Sequence, residues 1–255
     1  MFDCHIHTRH FSTDADMTMH ECLNTLREKK LGGIITEHID YGYPNPEEFI
    51  FNIDEYFESF SKYRNDTLKL GVEVGMQSCV TAKNKELIQS YNFDLVVAAI
   101  HMVSGFDIYY EDFYKDKTKE ESYNLYFETM LQGIYELANF DVLAHLDYIT
   151  RYSPYEDKYI HYDIFKKYLD EILDYLIKNN KVLEINTRLF DDQKAISVIE
   201  KIISVYKNMG GKYITIGSDA HIANNIGMYF DTASELANCY DLKPVYFDKR
   251  NMQYI

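Results

Sequence analysis

Six of the nine histidines share one placement in the chain, because each lies within or just after a short run of apolar residues. These histidines are His5, His7, His38, His101, His145 and His221. Acidic residues occupy matching positions at Glu73 and Asp219. If the apolar runs are parallel strands closed into a barrel, the side chains at their carboxyl ends converge. Convergent imidazoles and carboxylates bind divalent metal ions, so the pattern predicts a multi-metal hydrolase.

Two pairs of these residues have the spacing of neighbours on one side of a strand. His5 and His7 are separated by one residue, and so are Asp219 and His221. Positions i and i+2 of a strand point to the same side. Each pair can therefore aim both of its side chains into the mouth of a barrel, and we predict that all four residues bind metal.

Glu73 is an acidic residue in an otherwise apolar strand, where a carboxylate is costly to bury unless it is paired or coordinated. A carboxylate bridges two cations, which imidazole does not normally do, so we predict that Glu73 bridges two ions. His101 and His145 end apolar runs at equivalent positions. One such histidine is more often a satisfied core residue, but two of them beside the other candidates favour metal binding.

His38 ends the second apolar run and is a further candidate ligand. Glu37 precedes it, and strand alternation should point this carboxylate away from the metals. Asp14 lies in the loop after the first strand and is predicted to reach another ion. The alternative for Asp14 is a helix N-cap, a position at which Asp is also favoured.

The order of apolar runs and helical segments indicates how these residues are positioned. Runs typical of strands begin near residues 2, 34, 69, 95, 142, 182 and 213, and they alternate with segments of helical spacing at 16–30, 52–64, 83–91, 119–139, 161–179 and 194–209. Parallel strands need crossover helices, and strands covered on both faces are almost continuously apolar. We therefore predict one α/β barrel domain over residues 1–255, with seven strands and the metal site at their carboxyl ends.

The net charge, the cysteines and the lengths of the apolar runs limit which partners and which cellular compartment we expect for this protein. A formal net charge of −15 argues against a broad nucleic-acid-binding surface, which needs clustered Lys and Arg, but it permits a small phosphorylated substrate. The four cysteines are scattered without a CxxC pair, which favours free thiols in an intracellular protein. No apolar run has the length of a membrane span. We expect a cytoplasmic protein with no membrane partner, and its oligomeric state is left open.

A resemblance to a known superfamily rests on motifs that span nearly the whole chain in order. They are Asp3-Cys4-His5-Ile6-His7-Thr8, Thr36-Glu37-His38, Gly71-Val72-Glu73, Ile100-His101, Ala144-His145 and Gly217-Ser218-Asp219-Ala220-His221. In these motifs the chain resembles the polymerase and histidinol phosphatase (PHP) superfamily. Through Thr36-Glu37-His38, Leu183-Glu184-Ile185-Asn186-Thr187 and the aromatic loop after His101, it looks most like the monofunctional histidinol-phosphatases.

The resemblance implies a distorted seven-stranded, TIM-like barrel with a trinuclear centre. The mixed nitrogen and oxygen ligands suit zinc, iron or manganese, and the sequence does not decide between them. Carried onto this chain, the ligands of the first ion are His5, His7, Glu73 and Asp219, those of the second are Glu73, His101 and His145, and those of the third are Asp14, His38 and His221. The loop after the first strand departs from the family pattern, because it is one residue longer and carries Asp14 where histidine is common. This departure bears on the third ion alone.

The expected reaction is hydrolysis of a phosphate monoester by a metal-activated hydroxide that attacks phosphorus in line. Arg151 and Arg188 follow strands whose carboxyl ends face the site, and arginine presents a planar fork that matches phosphate. The resemblance also places phosphate-binding arginines near these positions and implies L-histidinol phosphate as the substrate. The ammonium and imidazole of that substrate would favour an acidic and aromatic rim, for which the long loop offers Asp107, Tyr109, Tyr110, Glu111 and Asp112.

Three other functions stay open. The same metal site could act on a nucleotide, a nucleic-acid end or a phosphosugar. An amidohydrolase or deaminase also uses histidines and an Asp in a barrel, although Glu73 suits a bridging role better than the carboxylated Lys usual in that class. A non-catalytic metal-dependent binding module is the last alternative.

Overall fold

A mostly parallel sheet surrounded by helices forms the centre of the computed structural model, which describes residues 1–45 and 47–254. The strands in these residues are β1 (Phe2–Ile6), β2 (Gly32–Ile39), β3 (Leu68–Gly75), β4 (Val96–Ala99), β5 (Met102–Val103), β6 (Phe106–Asp107), β7 (Val142–Leu143), β8 (Val182–Asn186), β9 (Tyr213–Gly217), β10 (Lys243–Asp248) and β11 (Asn251–Tyr254). Nine of them form one sheet in the order β1-β2-β3-β4-β7-β8-β9-β10-β11, and β5 pairs with β6 in a separate hairpin. The predicted α/β class with a parallel central sheet is confirmed.

The helices connect the strands as crossovers. They are α1 (Met19–Lys29), α2 (Ile53–Phe60), α3 (Thr81–Ser90), α4 (Lys119–Leu137), α5 (Ile149–Tyr152), α6 (Tyr162–Lys178), α7 (Gln193–Asn208) and α8 (Phe230–Cys239). Six of these match the predicted helical segments, while α5 and α8 were not predicted. Capping boxes begin α1 and α4, since the Thr18 and Thr118 hydroxyls accept hydrogen bonds from the amides of Glu21 and Glu121, whose carboxylates accept in return.

The seven predicted strands correspond to β1 to β4 and β7 to β9, and the sheet extends beyond them. The prediction contains no strand after β9, whereas β10 runs parallel to β9 and β11 folds back antiparallel on β10. At the other edge, Ile6 of β1 forms a parallel bridge with Ala220, and the His7 amide donates to the Ala220 carbonyl at 2.9 Å. The residues after β9 thus meet the first strand, which brings the two ends of the seven-strand run together.

Strand register sets the positions of the predicted ligands. His38 pairs with Glu73 across β2 and β3, so the two side chains lie on the same face of neighbouring parallel strands. At the far side of the sheet, Glu184 pairs with Thr215 and Asn186 with Gly217 across β8 and β9. Residues from distant segments therefore meet at the carboxyl ends of the strands.

At the opposite end of the sheet from the predicted ligands, one buried carboxylate joins several chain segments by hydrogen bonds. Asp94 accepts hydrogen bonds from the Leu70 amide at 2.9 Å, the Lys249 amide at 2.9 Å and the Arg64 guanidinium at 2.6 Å. Lys249 and Arg250 form the turn between β10 and β11 and both have positive φ, a conformation that is rare outside glycine. Hydrogen bonds to Asp94 hold this strained turn against β3 and β4.

No described helix is long and apolar enough to cross a membrane.

Candidate metal centre

Glu73 lies at the centre of a ring of imidazoles. Its Oε2 atom is 2.8 Å from His38 Nδ1, 3.3 Å from His5 Nε2 and 3.5 Å from His7 Nε2. Its Oε1 atom is 2.8 Å from the Nε2 atom of His145 and 3.3 Å from that of His101. Each carboxylate oxygen therefore faces a different set of imidazoles, which is the arrangement that a carboxylate bridging two ions needs.

Asp219 supplies a second buried carboxylate beside this ring. Its Oδ1 atom is 3.4 Å from His7 Nε2, 3.8 Å from His5 Nε2 and 3.6 Å from His221 Nδ1. Asp219 follows β9 with φ of 53°, in the left-handed region that non-glycine residues rarely adopt. Asp adopts this conformation more readily than most residues, and here the turn accompanies the placement of Asp219 among three histidines.

Asp14 completes the cluster from the loop after β1. Its Oδ2 atom is 2.9 Å from His221 Nε2 and 3.6 Å from His38 Nε2. The N-cap alternative for Asp14 is wrong, because Thr18 caps α1. All nine predicted ligands are thus brought together at the carboxyl ends of the strands.

Two features show that these residues suit metal ions. Four sets of three residues have ligand atoms within 4.8 Å of one another, namely His5-His7-Asp219, His5-Glu73-His145, His7-His38-His221 and His38-Asp40-His101. In the part of the chain that the structure describes, the buried polar atoms without a hydrogen-bond partner include His5 Nε2, His7 Nε2, both ring nitrogens of His38 and Glu73 Oε2. Buried polar atoms are rarely left unpaired, and coordination to ions would satisfy these.

The electrostatics of the cluster are strongly coupled. Burial raises the pKa of Glu73, but the neighbouring His5, His38 and His101 oppose this effect and hold its pKa well below the usual range. Burial and two neighbouring imidazoles hold the pKa of His7 well below its usual value. The surroundings therefore favour an ionised Glu73 and a neutral His7. Burial lowers the pKa of His5 and of His38, but the neighbouring carboxylates outweigh it and raise both pKa values well above the usual value. Cations that bind here would displace protons from these two imidazoles.

Both predicted arginines lie beside this cluster. Arg151 is buried, with Nη1 donating to Asp219 Oδ2 at 2.6 Å and Nη2 donating to Asn186 Oδ1 at 3.0 Å. Arg188 is more exposed, and its Nη1 donates to the Asp219 carbonyl at 2.7 Å and lies 2.8 Å from His221 Nδ1. Tyr148 packs against Arg151, with the guanidinium 4.9 Å from the ring centroid.

The sequence-based prediction missed two buried acids that form hydrogen bonds with predicted ligand histidines. Asp40 accepts from His101 Nδ1 at 3.0 Å, and Glu184 Oε1 accepts from His5 Nδ1 at 2.8 Å. Both could have been found by rules already applied, because Asp40 stands two residues after a ligand on β2 and Glu184 interrupts an apolar strand as Glu73 does. Glu37 is absent from the described groups that could hold a metal ion, and its carboxylate accepts hydrogen bonds from Thr8 and Ser12 instead.

A cavity of about 360 Å³ opens onto the cluster. It is lined by Asp14, His38, Asp40, Tyr43, Glu48, Phe49, His101, Asp107, Tyr109, Tyr110, Tyr148, Tyr152, Arg188 and His221. Asp107, Tyr109 and Tyr110 are therefore rim residues as predicted, whereas Glu111 and Asp112 line a different surface depression. The cavity wall is aromatic and acidic, with Arg188 as its cationic side chain.

The fold and this centre define a class of protein, and comparison with known families identifies it. A family model for the PHP domain matches residues 3–188, and the chain belongs to this family. A protein of Clostridium acetobutylicum named "Probable histidinol-phosphatase" is 42% identical over 254 residues, which cover 100% of this chain and 99% of the relative. A Lactococcus lactis subsp. lactis protein named "Histidinol-phosphatase" is 35% identical over 228 residues, which cover 87% of this chain and 84% of that protein.

A solved structure is similar over the same length. It is the crystal structure of histidinol phosphate phosphatase from Lactococcus lactis subsp. lactis, complexed with zinc, L-histidinol and phosphate. The two chains are 32% identical, with a TM-score of 0.93, and the match covers 99% of this chain and 98% of the other. The fold is therefore shared over nearly the whole chain with a phosphatase whose crystal structure contains zinc.

Proposed function

We propose that this chain hydrolyses L-histidinol phosphate to L-histidinol and phosphate, as a single barrel domain over residues 1–255. The observation that carries the proposal is the ring of five imidazoles around Glu73, which opens into a cavity bearing an arginine and an aromatic, acidic wall. The names of the full-length relatives and the L-histidinol and phosphate in the similar crystal structure support the same substrate.

We assign three divalent ions to the cluster. His5, His7, Glu73 and Asp219 would hold the first ion, Glu73, His101 and His145 the second, and Asp14, His38 and His221 the third. Mixed nitrogen and oxygen ligands suit zinc, iron or manganese, and the zinc of the similar crystal structure favours zinc. Divalent ions in such a site activate water near neutral pH and neutralise phosphoryl oxygens.

The two arginines would bind the phosphoryl group. Arg188 lines the cavity and is partly exposed, so its guanidinium can reach a substrate oxygen while it remains attached to the Asp219 carbonyl. Arg151 is fixed on two sides by Asp219 and Asn186 and from above by Tyr148, which limits its guanidinium to one orientation. A planar fork held in this way matches a tetrahedral oxyanion.

The rest of the substrate would bind against the wall of the cavity. Asp107 accepts a hydrogen bond from the Tyr43 hydroxyl at 2.8 Å, which places its carboxylate at the cavity surface. This carboxylate and Glu48 offer partners for an ammonium group. Tyr109 packs edge-on against Tyr152 with ring centroids 4.7 Å apart, and these rings offer faces for an imidazole.

Phosphate release from L-histidinol phosphate tests the proposal, measured on zinc-, iron- and manganese-loaded protein beside a panel of phosphosugars and nucleotides. We expect kcat/KM to be highest for L-histidinol phosphate. Turnover of the other esters alone would keep the metal chemistry but refute the substrate. No turnover of any ester by protein with confirmed bound metal would refute the phosphatase assignment and favour an amidohydrolase or a binding module.

A further inference from the structure

We infer that Glu184 and Asn186, two polar residues on one side of β8, are positioning residues that orient both a metal-binding histidine and the phosphate-binding arginines. The inference deepens the proposed function and rests on it. Glu184 and Asn186 are both buried, at 4% and 3% exposure, and neither is among the predicted ligands. They stand at positions i and i+2, so their side chains share the face of β8 that points towards the site.

Glu184 joins two strands that carry ligands. Its Oε1 atom accepts from His5 Nδ1 at 2.8 Å, and its Oε2 atom accepts from the backbone amide of His145 at 2.9 Å. A carboxylate only accepts hydrogen bonds, so the proton of a neutral His5 lies on Nδ1 and the lone pair of Nε2 faces Glu73. Partners of this kind fix the tautomer and ring orientation of metal-binding histidines.

Asn186 continues the same network to the arginines. Its Nδ2 atom donates to Glu184 Oε2 at 3.0 Å, and its Oδ1 atom accepts from Arg151 Nη2 at 3.0 Å and from the Arg188 amide at 3.1 Å. The surroundings fix the orientation of the amide, because its NH₂ group meets a carboxylate and its oxygen meets two donors. One strand thus sets the geometry of metal binding and of phosphate binding together.

The neighbouring strand leaves room for this arrangement. Gly217 on β9 lies beside Glu184, and a Cβ atom there would stand 2.3 Å from Glu184 Oε1 and 2.6 Å from His5 Cβ. Any side chain at this position would displace the carboxylate from His5. The glycine at position 217 therefore helps to place the Glu184 carboxylate against the His5 imidazole.

The substitution Glu184→Gln tests the role of the carboxylate. Two donors, the His145 amide and the Asn186 NH₂ group, face Oε2, so the glutamine oxygen should remain there and its NH₂ group should face His5. His5 Nδ1 would then have to accept, and the proton would move to Nε2, where it blocks coordination. We expect zinc affinity to fall about 10- to 100-fold, measured by chelator competition and by metal content.

A spectroscopic signature separates this role from a general loss of structure. In wild-type protein, ¹H–¹⁵N correlation of the histidine side chains should place the His5 proton on Nδ1, and in Glu184→Gln it should lie on Nε2. The matched control is Thr215→Val, because Thr215 pairs with Glu184 in the sheet and its buried hydroxyl has no hydrogen-bond partner among the described residues. This control should keep wild-type zinc affinity.

Asn186→Ala tests the second half of the network. Glu184 would still hold His5, so zinc affinity should stay within twofold of wild type. KM for the phosphate ester should rise and inhibition by inorganic phosphate should weaken, each by about tenfold, because Arg151 loses one of its two anchors. Unchanged KM and phosphate inhibition would overturn the role of Asn186.

Three further outcomes decide the inference. Wild-type zinc affinity and an unchanged His5 tautomer in Glu184→Gln would overturn the role of Glu184 while the proposed function stands. Wild-type protein that binds no zinc, or does not hydrolyse L-histidinol phosphate, would refute the proposed function and this inference together. If Glu184→Gln does not fold, Glu184→Asp repeats the test, since it keeps the charge but is too short to reach both His5 and His145.

Discussion

The two arginines of the site should differ sharply in what they contribute to folding. The Arg151 side chain is 6% exposed and its Nη1 atom lies 2.6 Å from the Oδ2 atom of Asp219, which is 3% exposed. Removing one partner of a buried ion pair costs about 3–5 kcal/mol, because the other charge is left uncompensated. Arg188 is 32% exposed and its nearest distance to a carboxylate oxygen of Asp219 is 3.9 Å, so its loss should cost about 1 kcal/mol or less.

Thermal unfolding of metal-free protein measures this difference. At about 2–4 °C per kcal/mol for a chain of this size, Arg151→Ala should lower Tm by about 6–20 °C and Arg188→Ala by about 4 °C or less. Bound zinc would partly neutralise Asp219, so the deficit of Arg151→Ala should shrink when zinc is added. Equal losses in the two variants, or a loss below about 2 °C for Arg151→Ala without metal, would contradict the buried ion pair.

Activity supplies the complementary measurement on the same variants. Removal of a preorganised donor to a developing oxyanion typically costs about 10²–10³ in kcat, so Arg188→Ala should lose activity although it barely loses stability. Arg188→Lys is the matched control, because it keeps the charge without the planar fork and should recover only part of the loss. Steady-state kinetics indistinguishable from wild type in Arg188→Ala would refute its role in phosphate binding.

Three more perturbations follow from the structure. Chelation should lower Tm by about 8–16 °C for each ion that is bound at a thousandfold its Kd before removal; calorimetry that shows no shift would argue against tight metal binding. Gly217→Ala should weaken zinc binding at least tenfold by displacing Glu184, and a wild-type chelator titration would contradict this. Asp94→Ala should cost about 2–4 kcal/mol by denaturant unfolding, because two backbone amides lose their acceptor; a cost below about 1 kcal/mol would mean that the β10–β11 turn is held by other contacts.

The features of the fold that could be predicted are those encoded locally. Each of β1 to β4 and β7 to β9 is a separate apolar run, and each long helix has a stripe of apolar residues. The strands and the long helices could therefore be predicted without knowledge of distant contacts. The predicted ligands at the first strand follow the same rule, because His5 lies on β1, His7 directly follows it, and strand alternation gives this pair one side. Asp219 and His221 were expected to form a similar pair on the last strand, but β9 ends at Gly217 and Asp219 has a φ of 53°, so a turn places them rather than strand alternation.

The features that could not be predicted depend on partners far away in the chain. The strand β10 contains Pro244 and is only half-buried, while the short β11 is mostly polar, so neither has the apolar pattern of a central strand. Their turn is held by Asp94, which lies 155 residues before Lys249. No local sequence pattern indicates a contact over that distance. The same is true of Glu184, because its carboxylate forms a hydrogen bond with His5, which lies 179 residues earlier in the chain.

The loop after β1 shows how a residue outside the predicted ligand set can help to position a predicted ligand. The Glu37 carboxylate accepts from the Thr8 amide at 3.0 Å and from the Ser12 hydroxyl at 2.6 Å, and this hydroxyl lies 3.3 Å from His7 Nδ1. These bonds attach both ends of the loop segment that precedes Asp14 to β2. The anchored loop brings a carboxylate oxygen of Asp14 close to both His38 and His221. The loop that the sequence resemblance sets apart from the family pattern therefore still places a candidate ligand for the proposed third ion.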